Sequence, residues 1–140
     1  MTPTLRPLMA GLILVGFVAT PTADPELKKA AIASIEAQAT DLAAISDSVW
    51  RFAETALRET RSAATLSAHA EAHGFRVTRG VAGMPTAFTA EFGSGKPVIA
   101  ILGEYDALPG ISQKAQPHKE ARVDGAAGHG CGHNLFGAAS

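Results

Sequence analysis

Three features of the chain predict an α/β architecture with helices packed on a mixed sheet. Apolar residues recur at three-, four- and seven-residue steps from Leu27 to Phe52, the signature of an amphipathic helix. After Gly74 the period changes to alternation, in Phe75–Arg79 and again over Thr86–Phe92. The run Val98-Ile99-Ala100-Ile101-Leu102 is continuously apolar, which predicts a central strand buried on both faces. Helices before and beside such strands make a layered α/β domain. The 140 residues and 46% hydrophobic content suit one domain of this kind.

Taken in order, the chain opens with the features of an export signal over residues 1–23. Arg6 supplies a weakly basic start, Leu8–Ala19 an apolar core, and Thr20–Ala23 a small-residue cleavage zone. The apolar run is short for a membrane span. The expectation is a cleaved leader, a mature protein beginning near Asp24, no stable membrane span and a periplasmic location. Asp24 then caps the first helix, Pro25 suits its first position and Glu26 complements the positive end of its dipole. The stripe Leu27, Ala31, Ile35, Leu42, Ile45, Val49 and Phe52 predicts core packing to about Ala53, with Trp50 as a packing residue. A second helix is predicted from about Arg61 to His73, turning Ala63, Leu66 and Ala70 inward and stopping at Gly74. His69 and His73 share one face of it but lack the glutamate of a zinc-protease helix motif, and read as flank histidines.

Gly93–Lys96 is a turn, and Pro97 opens the apolar run. That run ends in Gly103-Glu104-Tyr105-Asp106-Ala107-Leu108-Pro109-Gly110. Functional groups of open α/β sheets gather beyond the carboxyl ends of strands, and Glu104 and Asp106 stand there two residues apart. A carboxylate so placed orients a metal-bound histidine or supplies an oxygen ligand. The polar connection from Ile111 to Ala127 has no periodicity, as a lid, binding loop or mobile segment would.

Charge excludes some function classes. With a net charge of −1 and no basic block, the chain has no electrostatic footprint for nucleic acid. Its 6% aromatic content offers no stacking platform for bases. One cysteine builds no disulfide framework, and metal ligation would give a lone thiol a reason to persist after export.

That cysteine stands in Gly128-His129-Gly130-Cys131-Gly132-His133-Asn134. Two imidazoles and a thiol alternate with glycines, so an extended backbone turns them to one side. Glycine removes bulk and permits unusual backbone angles, letting such a loop close on an ion. The donor mix suits Zn²⁺, with Mn²⁺, Co²⁺ and Ni²⁺ open. Neither a zinc finger nor a c-type haem site has this spacing.

GEYDALPG followed by GHGCGHNLFGAA resembles the aminoacylase and glutamate carboxypeptidase family of metallopeptidases and amidohydrolases, in its amino-acid amidohydrolase branch. SVWRFAETALRETRSAATLSAHAEAHGFRV and AGMPTAF are similar to the front of that branch, so the likeness spans about Ile45 to Ser140. It implies a hydrolase that uses one or two Zn or Mn ions to cleave an amide between an acyl or aryl group and an amino acid, a small-molecule substrate. Carried over, Cys131 matches a cysteine ligand able to bridge two metals, and His133 a histidine ligand. Asp106 matches the aspartate that orients a ligand and is the candidate catalytic group. Glu104 stands where many family peptidases have a histidine ligand, His129 fits the branch pattern, and Asn134 replaces a frequent aspartate. The family's general base is a glutamate downstream of the cysteine motif. The resemblance therefore implies that residues 24–140 are the N-terminal portion of a catalytic domain, nearly inactive alone and homo-oligomeric at full length. The competing expectation is a short exported metal-binding module without catalysis, which explains the leader and the loop but not GEYDALPG.

Overall fold

Asp24 begins the first helix as its sequence predicts. In the computed structural model, which describes residues 24–140, the Asp24 carboxylate accepts the Glu26 N–H at 2.9 Å. Pro25 opens α1, Pro25–Phe52. The leader expected over 1–23 lies outside the described residues. The far end of α1 closes on Ala53, which takes a left-handed conformation (φ 47°) and returns its N–H to the Val49 carbonyl. Burial is confined to this end: Ser46 and Val49 are buried, while Leu27, Ile32 and Ile35 stay exposed. The stripe expected to be core is therefore used only in its last turns. Core packing needs a facing surface, and the described residues supply none along the first half.

The second helix, α2, spans Thr60–Ala72. Leu66 is buried on it together with Ser62 and Ser67, and Ala63 and Ala70 are half-buried. Its end is a paired C-terminal cap. Gly74, at φ +84°, donates to the Glu71 carbonyl and Phe75 to that of Ala70. Glycine meets the left-handed angle without steric cost.

The start of α2 is capped from outside the helix. Glu59, at the cap position, makes no capping hydrogen bond with its side chain. Glu54 does so instead. Its carboxylate accepts the N–H groups of Arg61 (3.1 Å) and Ser62 (2.9 Å), the Ser62 hydroxyl (2.9 Å) and the Arg61 Nε–H (3.0 Å). Burial alone would push this carboxyl up, but these donors outweigh it and hold it below the ordinary value.

After α2 the chain makes β1, Arg76–Arg79, a short 3₁₀ turn at Val81–Gly83, and β2, Phe88–Glu91. The strands pair antiparallel, with Arg76 opposite Glu91 and Arg79 opposite Phe88. Arg79 binds both Glu71 oxygens (2.8 and 2.9 Å) and the Ser67 hydroxyl (3.0 Å), fastening the hairpin to α2. Beneath it, the Thr86 hydroxyl donates to Glu59 at 2.6 Å and the Tyr105 hydroxyl to the Thr86 carbonyl. Burial, then the charge of Glu59, pushes the Tyr105 phenol up to about 12.

The architecture is α/β, but among the described residues the predicted mixed sheet with a central strand is replaced by a two-stranded antiparallel hairpin. Val98–Leu102 forms no strand, and Val98 and Ile99 are 82% and 83% exposed. A strand buried on both faces needs partners along both edges and layers above and below. Among the described residues none is offered to this run. The two strands that do form are a hairpin, which carries its partner with it.

The last helix, α3, spans His133–Ala139 and lies against Gly103–Tyr105 and the buried end of α1. A Cβ at Gly137 would come within 2.9 Å of the Glu104 carbonyl oxygen, so the contact requires glycine there. No helix among the described residues is long and apolar enough to cross a membrane.

Candidate metal centre

The segment carrying Glu104 and Asp106 is set by backbone pairing rather than by membership of a sheet. Ala107 forms a parallel bridge to Thr55, donating its N–H to the Glu54 carbonyl at 2.7 Å. Leu108 exchanges two hydrogen bonds with Gly128, at 2.9 and 3.0 Å. Between these residues the chain leaves and returns. Ser112 donates to the Ala126 carbonyl and Lys114 to that of Glu120, and the Lys114 and Glu120 side chains form an ion pair. The connection without periodicity is thus a folded excursion, pinned where the Arg122 guanidinium sits 4.3 Å over the Trp50 ring. Trp50 is a cation platform for this loop rather than a core filler.

The excursion lies against two glycines of the motif. A Cβ on Gly128 would meet the Ile111 carbonyl oxygen at 2.5 Å, and one on Gly130 the Ile111 side chain at 2.5 Å. At Gly128 the obstacle is backbone, which only glycine clears, whereas at Gly130 it is the far end of the Ile111 side chain, which can turn aside. Only Gly132, at φ +74°, fits the expectation of an unusual backbone angle.

His133 is the focus of the site. One ring nitrogen, Nδ1, lies 2.8 Å from Asp106 Oδ1, and the other, Nε2, lies 3.0 Å from Glu104 Oε2. A neutral imidazole has one N–H, and an ionised carboxylate only accepts. With its N–H on Nδ1, the neutral ring turns an Nε2 lone pair to a Glu104 oxygen, whereas the protonated ring donates to both carboxylates. Two electron-rich atoms at this distance fit a shared cation: ligand atoms each about 2.1 Å from a metal stand about 3.0–3.4 Å apart. The Asp106–His133 pair is likewise the arrangement in which a carboxylate fixes the tautomer of a metal-binding histidine. The donors present thus fit a borderline divalent cation.

Asp106 Oδ1 is engaged on Nδ1, the ring nitrogen opposite the one that meets Glu104. Among the described residues no three His, Cys, Asp or Glu side chains converge on one point. Cys131 lies two residues before His133 with an exposed thiol. His129 turns away from the ion-facing side, donating Nε2–H to the Val49 carbonyl at 3.0 Å. Burial lowers its pKa, a shift that the Val49 carbonyl and the Asp106 charge oppose and the His133 charge reinforces. Asn134 donates its amide to the Ser46 hydroxyl at 3.0 Å. His69 on α2 and His73 at its C-cap are elsewhere, their rings 4.2 Å apart and His73 Nδ1 turned to the His69 carbonyl.

Of the residues that the sequence singles out, the structure brings Asp106 and Glu104 to the two nitrogens of His133 and leaves the Cys131 thiol exposed. Ser46, Val49 and Ile111 escape motif reasoning, since each acts from a distant part of the chain. Only the buried serine on an otherwise apolar helix face was a visible signal.

No family profile matches the chain. Two curated proteins are similar to it. Over 108 residues, 76% of this chain, it is 50% identical to a component of the p-aminobenzoyl-glutamate hydrolase of Escherichia coli (strain K12). Over 120 residues, 79% of this chain, it is 33% identical to Xaa-Arg dipeptidase of Mus musculus. Those alignments span 22% and 24% of the two relatives' lengths. Both relatives are named for the hydrolysis of amide-linked amino acids, and by sequence this chain is a relative of that amidohydrolase and peptidase family.

Proposed function

We propose that the chain carries part of the active site of a metal-dependent amidohydrolase acting on a small amide, an N-acyl amino acid or a p-aminobenzoyl-glutamate-like compound. The observation that supports this most is the His133 ring, held by Asp106 on one nitrogen while the other faces Glu104. The names of the two relatives point to the same bond class. His133 and Glu104 would hold a Zn or Mn ion, with Cys131 as the thiolate contributed by the same loop. When bound, such an ion supplies Lewis acidity, lowering the pKa of water and polarising the scissile carbonyl. Asp106 keeps the Nδ1 proton in place, so that Nε2 stays available. Its carboxylate is committed to that task, and hydrolysis also needs a base to take the proton from water. The 140-residue chain by itself is therefore expected to bind metal weakly and to turn over little or no amide. The features of residues 1–23 support export to the periplasm, and the family likeness supports a homo-oligomeric holoenzyme.

Cobalt titration tests the ligand assignment, because a cobalt–thiolate bond gives a charge-transfer band. The band is expected in the unmodified chain and absent from Cys131→Ala, while His133→Ala and Glu104→Ala weaken binding. Unchanged titrations in the Cys131 and His133 variants would sink the assignment. Metal binding with no amidase activity in the protein as its own cell makes it would favour a binding module instead.

A further inference from the structure

Cys131 and His133 are bracketed by two side chains that reach the same stretch of α1. His129 donates Nε2–H to the Val49 carbonyl at 3.0 Å, and Asn134 donates to the Ser46 hydroxyl at 3.0 Å. Ser46 and Val49 are three residues apart, one turn on one face of the helix, and are 5% and 0% exposed. The Val49 carbonyl already accepts the Ala53 N–H at 3.1 Å, so His129 occupies its second lone pair. The other His129 nitrogen, Nδ1, is buried without a hydrogen-bond partner. That ring is thus held in place by a single directed bond.

We propose that His129 and Asn134 are positioning residues, a two-point clamp that fixes the Cys131–His133 loop on the C-terminal turns of α1 and presents its donors as a unit. The loop needs such a device. Gly130 and Gly132 lie between the two clamping residues, and glycine lowers the stiffness of a segment. Its only internal backbone bonds are long ones, Gly130 N–H to the Gly128 carbonyl at 3.2 Å and Gly132 N–H to that of His129 at 3.3 Å. Ile111 lies close to Gly130, where an added Cβ would meet its side chain at 2.5 Å. The functional consequence rests on reading Cys131 and His133 as ligands; the clamp itself does not.

The test pairs a disruptive with a conservative variant at each point. His129→Phe keeps the ring but not the donor, whereas His129→Gln restores an N–H near the Nε2 position. Asn134→Leu keeps the shape, whereas Asn134→Asp lets the Ser46 hydroxyl donate in the reverse sense. In the 140-residue chain, His129→Phe and Asn134→Leu are expected to weaken Co²⁺ binding by about 10–100-fold, as loss of a ligand's supporting contacts does. The two conservative variants are expected to stay within about threefold of the parent on the same grounds. A metal-free arm separates this idea from the ligand assignment. Nitrogen NMR of the parent should show His129 as the Nε2–H tautomer, and exchange of the Gly132 amide should rise about tenfold in His129→Phe. Those two results without cobalt binding would uphold the clamp while removing the metal reading. Equal cobalt affinity and equal Gly132 exchange across all four variants would overturn the clamp, as would an Nδ1–H tautomer.

Discussion

Two regions of the chain reverse the usual link between apolar sequence and order. Val98–Leu102 is the most hydrophobic continuous run among the described residues, yet it lies exposed and unpaired. The segment from Gly128 to Asn134 is rich in glycine and polar side chains, yet it is tied to α1 at Ser46 and Val49, to Leu108 by backbone pairing and to Asp106 through His133. Directed bonds find their partners within this chain. Burial of an apolar strand needs a whole environment of neighbouring strands and layers, which a short stretch of sequence does not bring along. The first half of α1 repeats the lesson, with Leu27 and Ile35 exposed on a well-formed helix.

Substitutions in the two regions should therefore differ sharply. The largest loss is expected at Gly128→Ala, where the new methyl would sit 2.5 Å from a backbone oxygen that cannot rotate away. A cost of about 3 kcal/mol is expected, read from urea unfolding of the chain. Removing the remote cap with Glu54→Gln should cost about 1–2 kcal/mol, because neutral amide oxygen accepts less strongly and an NH₂ faces the helix donors. The sign of its pH dependence is set as well. With the folded pKa held below the ordinary 4.5, the contribution is present above that value and lost as pH falls through the lower folded value. A Glu54→Gln chain with the same acid-unfolding profile as the parent would remove Glu54 from this role.

Smaller effects sharpen the same contrast. Tyr105 is the only tyrosine, so tyrosinate absorbance reports it alone. Its ionisation should fall near 12 in the folded chain and near 10 in urea. A folded value above the unfolded one means that the stability it contributes is intact below pH 10 and lost as pH rises through 12. Titration near 10 without urea would mean that the Glu59–Thr86–Tyr105 contact is open. The smallest change is expected at Ile101→Thr in the exposed run, within about 0.5 kcal/mol, whereas the same exchange in a buried strand would cost several times more. A large destabilisation there would show that the run is covered in solution.

Local chemistry was legible in the sequence wherever cause and effect lie within a few residues. Asp24 and Pro25 announce the start of α1, Gly74 the end of α2, and alternation the two strands of the hairpin. The family resemblance singles out Asp106 and His133 before any fold is known, and the structure brings these two side chains together. Tertiary structure alone decided which apolar residues are covered, where α2 finds its cap, and why Gly128 is glycine. It also decided what His129 and Asn134 do, turning one to Val49 and the other to Ser46, about eighty residues earlier. The physical reason is range. Caps, turns and periodicity are settled by neighbours along the chain, whereas burial and long-range hydrogen bonds depend on which distant surface arrives opposite.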